Sequence, residues 1–250
     1  MTWESQLLAA VLGAGPGALA SHRSAAVLWG LEGVRPGIPE ISIPRGRKHR
    51  YPDARVHQST DLDRTTSTII DGIPTTLVAR TLLDLGAVMS FEAVHVALDY
   101  ARRKKLTNWQ VLLDTLVVHA RRGRDGVGTL RAILDEHFDE VAATESAFER
   151  LVYVALCDAG LPRPELQHEV RIGLRTYRLD LAYPELKIAI ELDGSDHLRR
   201  STWENDHVRQ NSLINAGWTL LRFTWRDYKE RRDRLIRDVK TAVRRASPGN

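Results

Sequence analysis

The sequence predicts an α/β protein of two domains, a mostly helical front half followed by a mixed sheet flanked by helices. Three observations predict it. Helical segments dominate residues 75–137. Two adjacent runs between Tyr177 and Leu192 instead alternate apolar and polar residues with the period of a strand. The composition is ordinary for a globular chain, 43% hydrophobic and 27% charged over 250 residues, so a full-sized core is available.

The net charge of +4 and a pI near 9.4 point to a polyanionic partner. Thirteen Lys/Arg against six Asp/Glu fall in residues 199–250, the kind of charge that dominates duplex binding. A lone cysteine, Cys157, excludes an internal disulfide framework, fits a reducing cytoplasm and reads as core filler. No apolar run reaches the roughly 18 residues of a membrane span, so no membrane partner is expected. Leu7–Ala20 follows Glu4 without a basic segment, which argues against a signal peptide.

From the start, residues 3–14 read as a helix stopped by Gly13, Gly15, Pro16 and Gly17. Ser21 can cap a second helix, His22–Leu31. Strands are expected at Glu40–Ile43, Arg55–Ser59 and Ser67–Ile70, giving a winged-helix-like or small α+β unit. Between the first two strands lies a basic loop, Arg45–Arg50, either a phosphate contact or a solvated turn. Asp71-Gly72 marks a turn, and a helix is expected from Thr75 or Thr76 to Leu85. On it Arg80 and Asp84 stand four apart, an ion pair worth roughly a few tenths of a kcal/mol. Helices follow at 91–103, 107–121 and 126–137, and the clusters Arg102–Lys105 and Arg121–Arg124 read as solvated helix ends. The acidic segment Asp139–Thr144 separates domains at 1–138 and 144–246.

Ser146 and Glu149 form a capping-box pattern opening a helix to about Ala159. A strand is expected at Leu166–Ile172, a helix at Ser201–Ala216 with Asp206, Arg209 and Gln210 on one side and Val208, Leu213 and Ile214 toward the core, a strand at Thr219–Trp225 and a basic helix at Arg226–Arg245. Between them, Tyr177, Leu179, Leu181 and Tyr183, then Ile188, Ile190 and Leu192, define one buried face of a hairpin. The opposite face carries Asp180 on the first run and Glu191 and Asp193 on the second. If Pro184–Lys187 turns tightly, Asp180 sits across from Glu191. Like charges so placed repel and ask for a cation, and magnesium or manganese take oxygen ligands of this kind.

Two resemblances follow. Ser24–Leu31 together with Ile73–Asp84 resembles AbiEi-type antitoxin regulators over about residues 1–135, which implies a winged-helix DNA binder from a toxin–antitoxin or phage-defence setting. Tyr177-Arg-Leu-Asp180, Ile188–Gly194 with His197, Asp206-x-x-Arg209 and Gly217–Phe223 resemble the Vsr-like branch of the PD-(D/E)xK endonucleases over about residues 144–246. That resemblance implies a restriction-endonuclease-like sheet and magnesium-dependent phosphodiester hydrolysis. Asp180 would be the central ligand, Glu191 a second ligand or water holder, Asp193 a further acid, and His197 a base. Glu149, Asp206, Arg209 and Arg222 would support the site or the DNA.

Plainer readings stand beside these. Glu149 completes its capping box, Asp206 complements a helix dipole, Arg222 pairs with one of the acids, and His197 is a loop histidine. The usual third-motif lysine is replaced by Asp193, and Lys187 lies about 20 Å away by strand rise. Function therefore divides between a metal-dependent DNA endonuclease, a DNA-binding regulator with an inactive nuclease fold, and a protein–protein module in a defence operon.

Overall fold

A computed structural model describes residues 2–46, 53–62, 67–141, 144–193 and 203–247. The chain forms two compact units that divide at Phe138 and Asp139, with residues 120–122 joined to the second. The basic loop expected at Arg45–Arg50 falls mostly outside the described residues. Among those residues, no helix is long and apolar enough to cross a membrane.

The first unit contains α1 (Trp3–Gly13), β1 (Leu19–Ala20), α2 (His22–Leu28), β2 (Glu40–Pro44), β3 (Arg55–Ser59), β4 (Ser67–Ile70), β5 (Ile73–Thr76), α3 (Val78–Leu85), α4 (Phe91–Arg103), α5 (Trp109–His119) and α6 (Val127–Glu136). Its strands form one mixed sheet in the order β3-β2-β1-β5-β4, five strands where three were expected. One core cluster joins Leu7, Ala10 and Val11 of α1 to Ala20, Ile41, Ile43 and Ile73 of the sheet.

The helix expected from Thr75 begins instead at Val78, because Ile73–Thr76 is a strand. Asp71 and Gly72 both hold positive φ, 48° and 79°, the geometry of a two-residue hairpin turn that pairs β4 with β5. Pro74 biases Ile73 toward extended backbone as well. Ser21 makes no cap bond; its hydroxyl meets His22 Nδ1 at 2.9 Å and Ser42 Oγ at 2.8 Å.

Arg80 and Asp84 are not a surface pair. Their side chains are 3% and 6% exposed, and Arg80 Nε reaches both Asp84 oxygens at 2.9 and 3.0 Å. Arg124, expected at a solvated helix end, bridges Asp61 at 2.9 Å and Asp84 at 3.2 Å. His119 adds a 2.8 Å contact to Asp61. Burial alone would raise the Asp61 carboxyl, but contacts from His119 and Ser59 and the charges of Arg80 and Arg124 hold it well below the ordinary carboxylate range. Charges brought out of water require this completeness, since each lacks solvent to fall back on.

Where α3 ends and α6 begins the backbones nearly touch. A Cβ on Gly126 would lie 2.1 Å from the Leu83 carbonyl oxygen, and Gly126 also holds φ +87°, a conformation disfavoured for other residues.

The short α7 (Phe138–Val141) spans the division. The second unit then runs α8 (Glu145–Asp158), β6 (Glu165–Ile172), β7 (Arg175–Tyr183), β8 (Ile188–Asp193), α9 (Trp203–Asn215), β9 (Thr219–Thr224) and α10 (Trp225–Ala246). The sheet order is β6-β7-β8-β9, antiparallel except for the parallel pair β8/β9. This is the expected mixed sheet flanked by helices. Pro184–Leu186 makes a single 3-10 turn, ended by Lys187 in the left-handed region. Lys187 Nζ then donates to the Ala216 carbonyl at 3.0 Å.

The helix α8 is buried nearly all round, from Phe148 to Leu156, as befits a helix covered on several sides. Phe148 stacks on Trp225 at 4.6 Å. Cys157 is buried and its thiol is pushed up to about 11 by that burial, the state of an inert core residue.

Gly126→Ala is expected to destabilise the first unit by roughly 2–4 kcal/mol, seen as a lower denaturation midpoint. Asp61→Ala, which strands buried guanidinium groups, is expected to cost about 3 kcal/mol in urea unfolding of the same unit.

Candidate functional site

Four elements of the second unit place part of the predicted set: Asp180 on β7 and Glu191 on β8, with Arg209 of α9 and Arg222 of β9 reaching Glu191. The ladder between β7 and β8 closes at Leu181↔Ile190, and the next step of that register sets Asp180 opposite Glu191. There the ladder gives way to a side chain: the Leu192 amide donates to Asp180 Oδ2 at 2.8 Å. The like charges expected from the alternation therefore do meet, and Asp180 raises the carboxyls of both Glu149 and Glu191.

Glu191 is 7% exposed. Arg209 Nη2 lies 2.6 Å from its Oε1, and Arg222 Nη2 lies 3.2 Å from its Oε2. The Arg209 approach is an ion-pair distance off the hydrogen-bond direction, so Oε1 accepts no hydrogen bond among the described residues. Burial pushes the Glu191 carboxyl up most strongly, against the two guanidinium charges that pull it down. Of the alternatives for Arg222, the ion pair with an acid is the one present.

Glu149 is not part of a capping box. The helix α8 opens two residues earlier than the sequence suggests, with the Thr144 hydroxyl accepting from the Ala147 amide at 3.2 Å. Glu149 thus falls within the first turns and is buried, 7% exposed. Burial raises its carboxyl, and the Gln167 side chain, donating at 2.5 Å, opposes this.

Gln167 was not anticipated. It lies across from Asp180, between the pairs Leu166↔Leu181 and His168↔Leu179, and holds φ +52°. A non-glycine residue in that region is strained, and such residues gather at functional sites. Nothing in a lone strand glutamine signals this in advance.

Asp193 ends β8 exposed to solvent. Among the described residues, no three acids of this sheet bring carboxylate oxygens within 4.8 Å of one another. His197 and the side chain of Asp206 lie outside the described residues.

The helix α9 faces the sheet with a different side than the apolar pattern suggests. Leu213 is fully buried, but Val208 and Ile214, expected toward the core, are 45% and 49% exposed. Arg209 and Gln210 share the face of Leu213, four and three residues away, which is how Arg209 reaches Glu191.

By residue type the set suits a hard divalent cation, since Glu149, Asp180 and Glu191 offer only carboxylate oxygens. Positive charge is already present, because Arg209 and Arg222 both pair with Glu191.

Residues 148–243 match the family model REase_MTES_1575, a restriction-endonuclease-like family. The second unit is therefore nuclease-like. The chain is also 28% identical over 173 residues to the uncharacterised proteins MT2308 and Rv2248 of Mycobacterium tuberculosis strains CDC 1551 / Oshkosh and H37Rv, covering 65% of this chain. It spans 63% of the length of those relatives. An uncharacterised protein of Haemophilus influenzae strain Rd is 31% identical over 70 residues, which is 28% of this chain and 52% of that protein.

Protonated Glu149 favours the folded state, because its folded carboxyl is raised above the ordinary 4.5. That contribution is present below 4.5 and is lost as pH rises through the raised value. Glu149→Gln, which keeps an acceptor for Gln167, is expected to raise the thermal midpoint at pH 8 and to leave it unchanged near pH 4.

Proposed function

We propose that the second unit hydrolyses phosphodiester bonds in DNA with magnesium or manganese. The observation that carries this reading is the β7/β8 register, which sets Asp180 opposite the buried Glu191, with Glu149 near enough to feel the Asp180 charge. Carboxyls brought there are kept off their ordinary titration by burial and by Asp180, as at sites built to hold cations or move protons.

Asp180 and Glu191 hold the ion, and Asp193, on the same strand face as Glu191, adds a ligand at the solvent end. Magnesium or manganese held there would polarise the phosphate and offset charge on the attacking and leaving oxygens. His197 would accept the proton of the attacking water, a role open to an imidazole. Arg209 and Arg222 position Glu191, and Asp206 supports the site from α9. Glu149, whose carboxyl burial raises, supports the site from α8 and is held there by the Gln167 side chain. Phosphate affinity comes from the basic C-terminal segment, chiefly α10. DNA repair or phage defence, in the cytoplasm, is the setting such an activity serves, with the first unit contributing winged-helix-like DNA contacts or binding a partner protein.

A second reading rests on one observation. Glu191 already carries two guanidinium groups, so its charge is offset without an ion. In that case the unit is an inactive nuclease fold serving a DNA-binding, antitoxin-type regulator.

Cleavage of supercoiled plasmid separates the two. Wild-type protein is expected to nick or linearise DNA with magnesium or manganese and not with chelator. Asp180→Asn and Glu191→Gln are expected to abolish cleavage while retaining DNA binding, and His197→Ala to slow it roughly 10²–10⁴-fold. Binding without cleavage under either ion would establish the regulator instead.

A further inference from the structure

Two groups of potential metal ligands stand outside the nuclease-like unit: His22, Glu40 and His57, and His95, Asp99 and His137, with ligand atoms within 4.8 Å in each. Both belong to the first unit, and their geometry separates them.

The rings of His22 and His57 stack with centroids 3.5 Å apart and planes 15° from parallel. A ring-nitrogen lone pair lies in the plane of its ring. Those of stacked rings therefore run side by side and do not converge on one ion. Glu40, moreover, already holds Arg23 at 2.8 Å and Arg55 at 3.1 Å. This group is a neutralised hub that fastens α2 to the sheet.

The other group is arranged differently. His95 and Asp99 stand four apart on α4 and so project from one face. His137 comes from the residue that ends α6. His95 Nε2 and His137 Nε2 are 3.0 Å apart, and their rings meet edge-on at 61°, so the two nitrogens approach each other with neither ring stacked over the other. Two nitrogens bound to one tetrahedral zinc at about 2.0–2.1 Å are separated by roughly 3.3 Å, within a few tenths of the distance present. Asp99 Oδ2 lies 3.9 Å from His95 Nε2, and the two side chains are 44% and 29% exposed, which leaves an entry path. The Trp109 ring, 5.0 Å from that of His137, shields one side.

We propose that His95, Asp99 and His137 bind a divalent first-row transition ion of the zinc type, with the fourth position open to water. Two imidazoles and one carboxylate suit such an ion, whereas the all-oxygen set of the second unit suits magnesium. The ion ties α4 to the end of α6, and it stabilises the folded first unit because it binds little to the unfolded chain. This inference does not depend on nuclease activity.

Calorimetric titration of the full chain with zinc, in excess magnesium to occupy oxygen-ligand sites, tests it. Wild-type protein is expected to take up one equivalent and to melt at a higher temperature when loaded. The double variant His95→Ala/His137→Ala is expected to lose that equivalent. Asp99→Asn, a change at a half-exposed position that leaves the fold intact, is expected to weaken uptake at least about tenfold. His57→Ala is expected to bind as wild type. Absence of zinc uptake by the wild-type chain would overturn the proposal, leaving the His95–His137 contact a simple N–H···N hydrogen bond. Uptake that survives the double variant, or that disappears in His57→Ala, would overturn it equally.

Discussion

The second unit is organised by the burial of carboxylates that have no room to avoid one another. Glu149 comes from α8, Asp180 from β7 and Glu191 from β8, and the register of a single hairpin forces the last two together. Water is largely excluded, so the repulsion has to be met locally. The structure meets it with what surrounds the acids: Arg209 and Arg222 on Glu191, the Leu192 amide on Asp180, and Gln167 on Glu149. These partners come from four elements, and they leave one buried oxygen of Glu191 without a donor. The strain at Gln167 belongs to the same arrangement, since its positive φ is found opposite Asp180 and its side chain is committed to Glu149.

The first unit solves the same problem to a different end. Asp61, Arg80, Asp84, Arg124 and His119 are drawn from two helices and two loops, and each charge finds an opposite within about hydrogen-bonding reach. Here Asp61 is held below its ordinary range, whereas in the second unit Glu149 and Glu191 are held above theirs. The contrast is one of stoichiometry. Two arginines and a histidine meet two aspartates in the first network, whereas in the second three carboxylates stand with two arginines. The former arrangement fixes elements in place, and the latter leaves something to bind.

Much of this was legible before any coordinates. Alternation from Tyr177 to Leu192 located the hairpin, and its two-residue period put Asp180 across from Glu191. The turn at Asp71-Gly72 and the helices near 91–103, 107–121 and 126–137 followed from local chemistry that acts over a few residues. Less legible were features that depend on what a segment packs against. The run Ile73–Thr76 resembled a helix start until it found β1 and β4 as neighbours. Arg80 and Asp84 looked like an exposed pair because spacing alone carries no measure of burial. On α9, the apolar Val208 and Ile214 misdirected the reading, since the face that meets the sheet is polar where it meets Glu191.

By itself the sequence determined which residue types were available and where strands and helices were strongly preferred, because propensity, periodicity and turn chemistry act along the chain. It determined too that acids would share a strand face beside a basic C-terminal segment. Only tertiary structure decided which charges lost their water. Desolvation depends on neighbours distant in sequence: Glu149 met Gln167 and Asp180 because α8 lies against the sheet, and His95 met His137 because α4 and α6 pack side by side. Those encounters set which groups are satisfied and which remain open to a ligand.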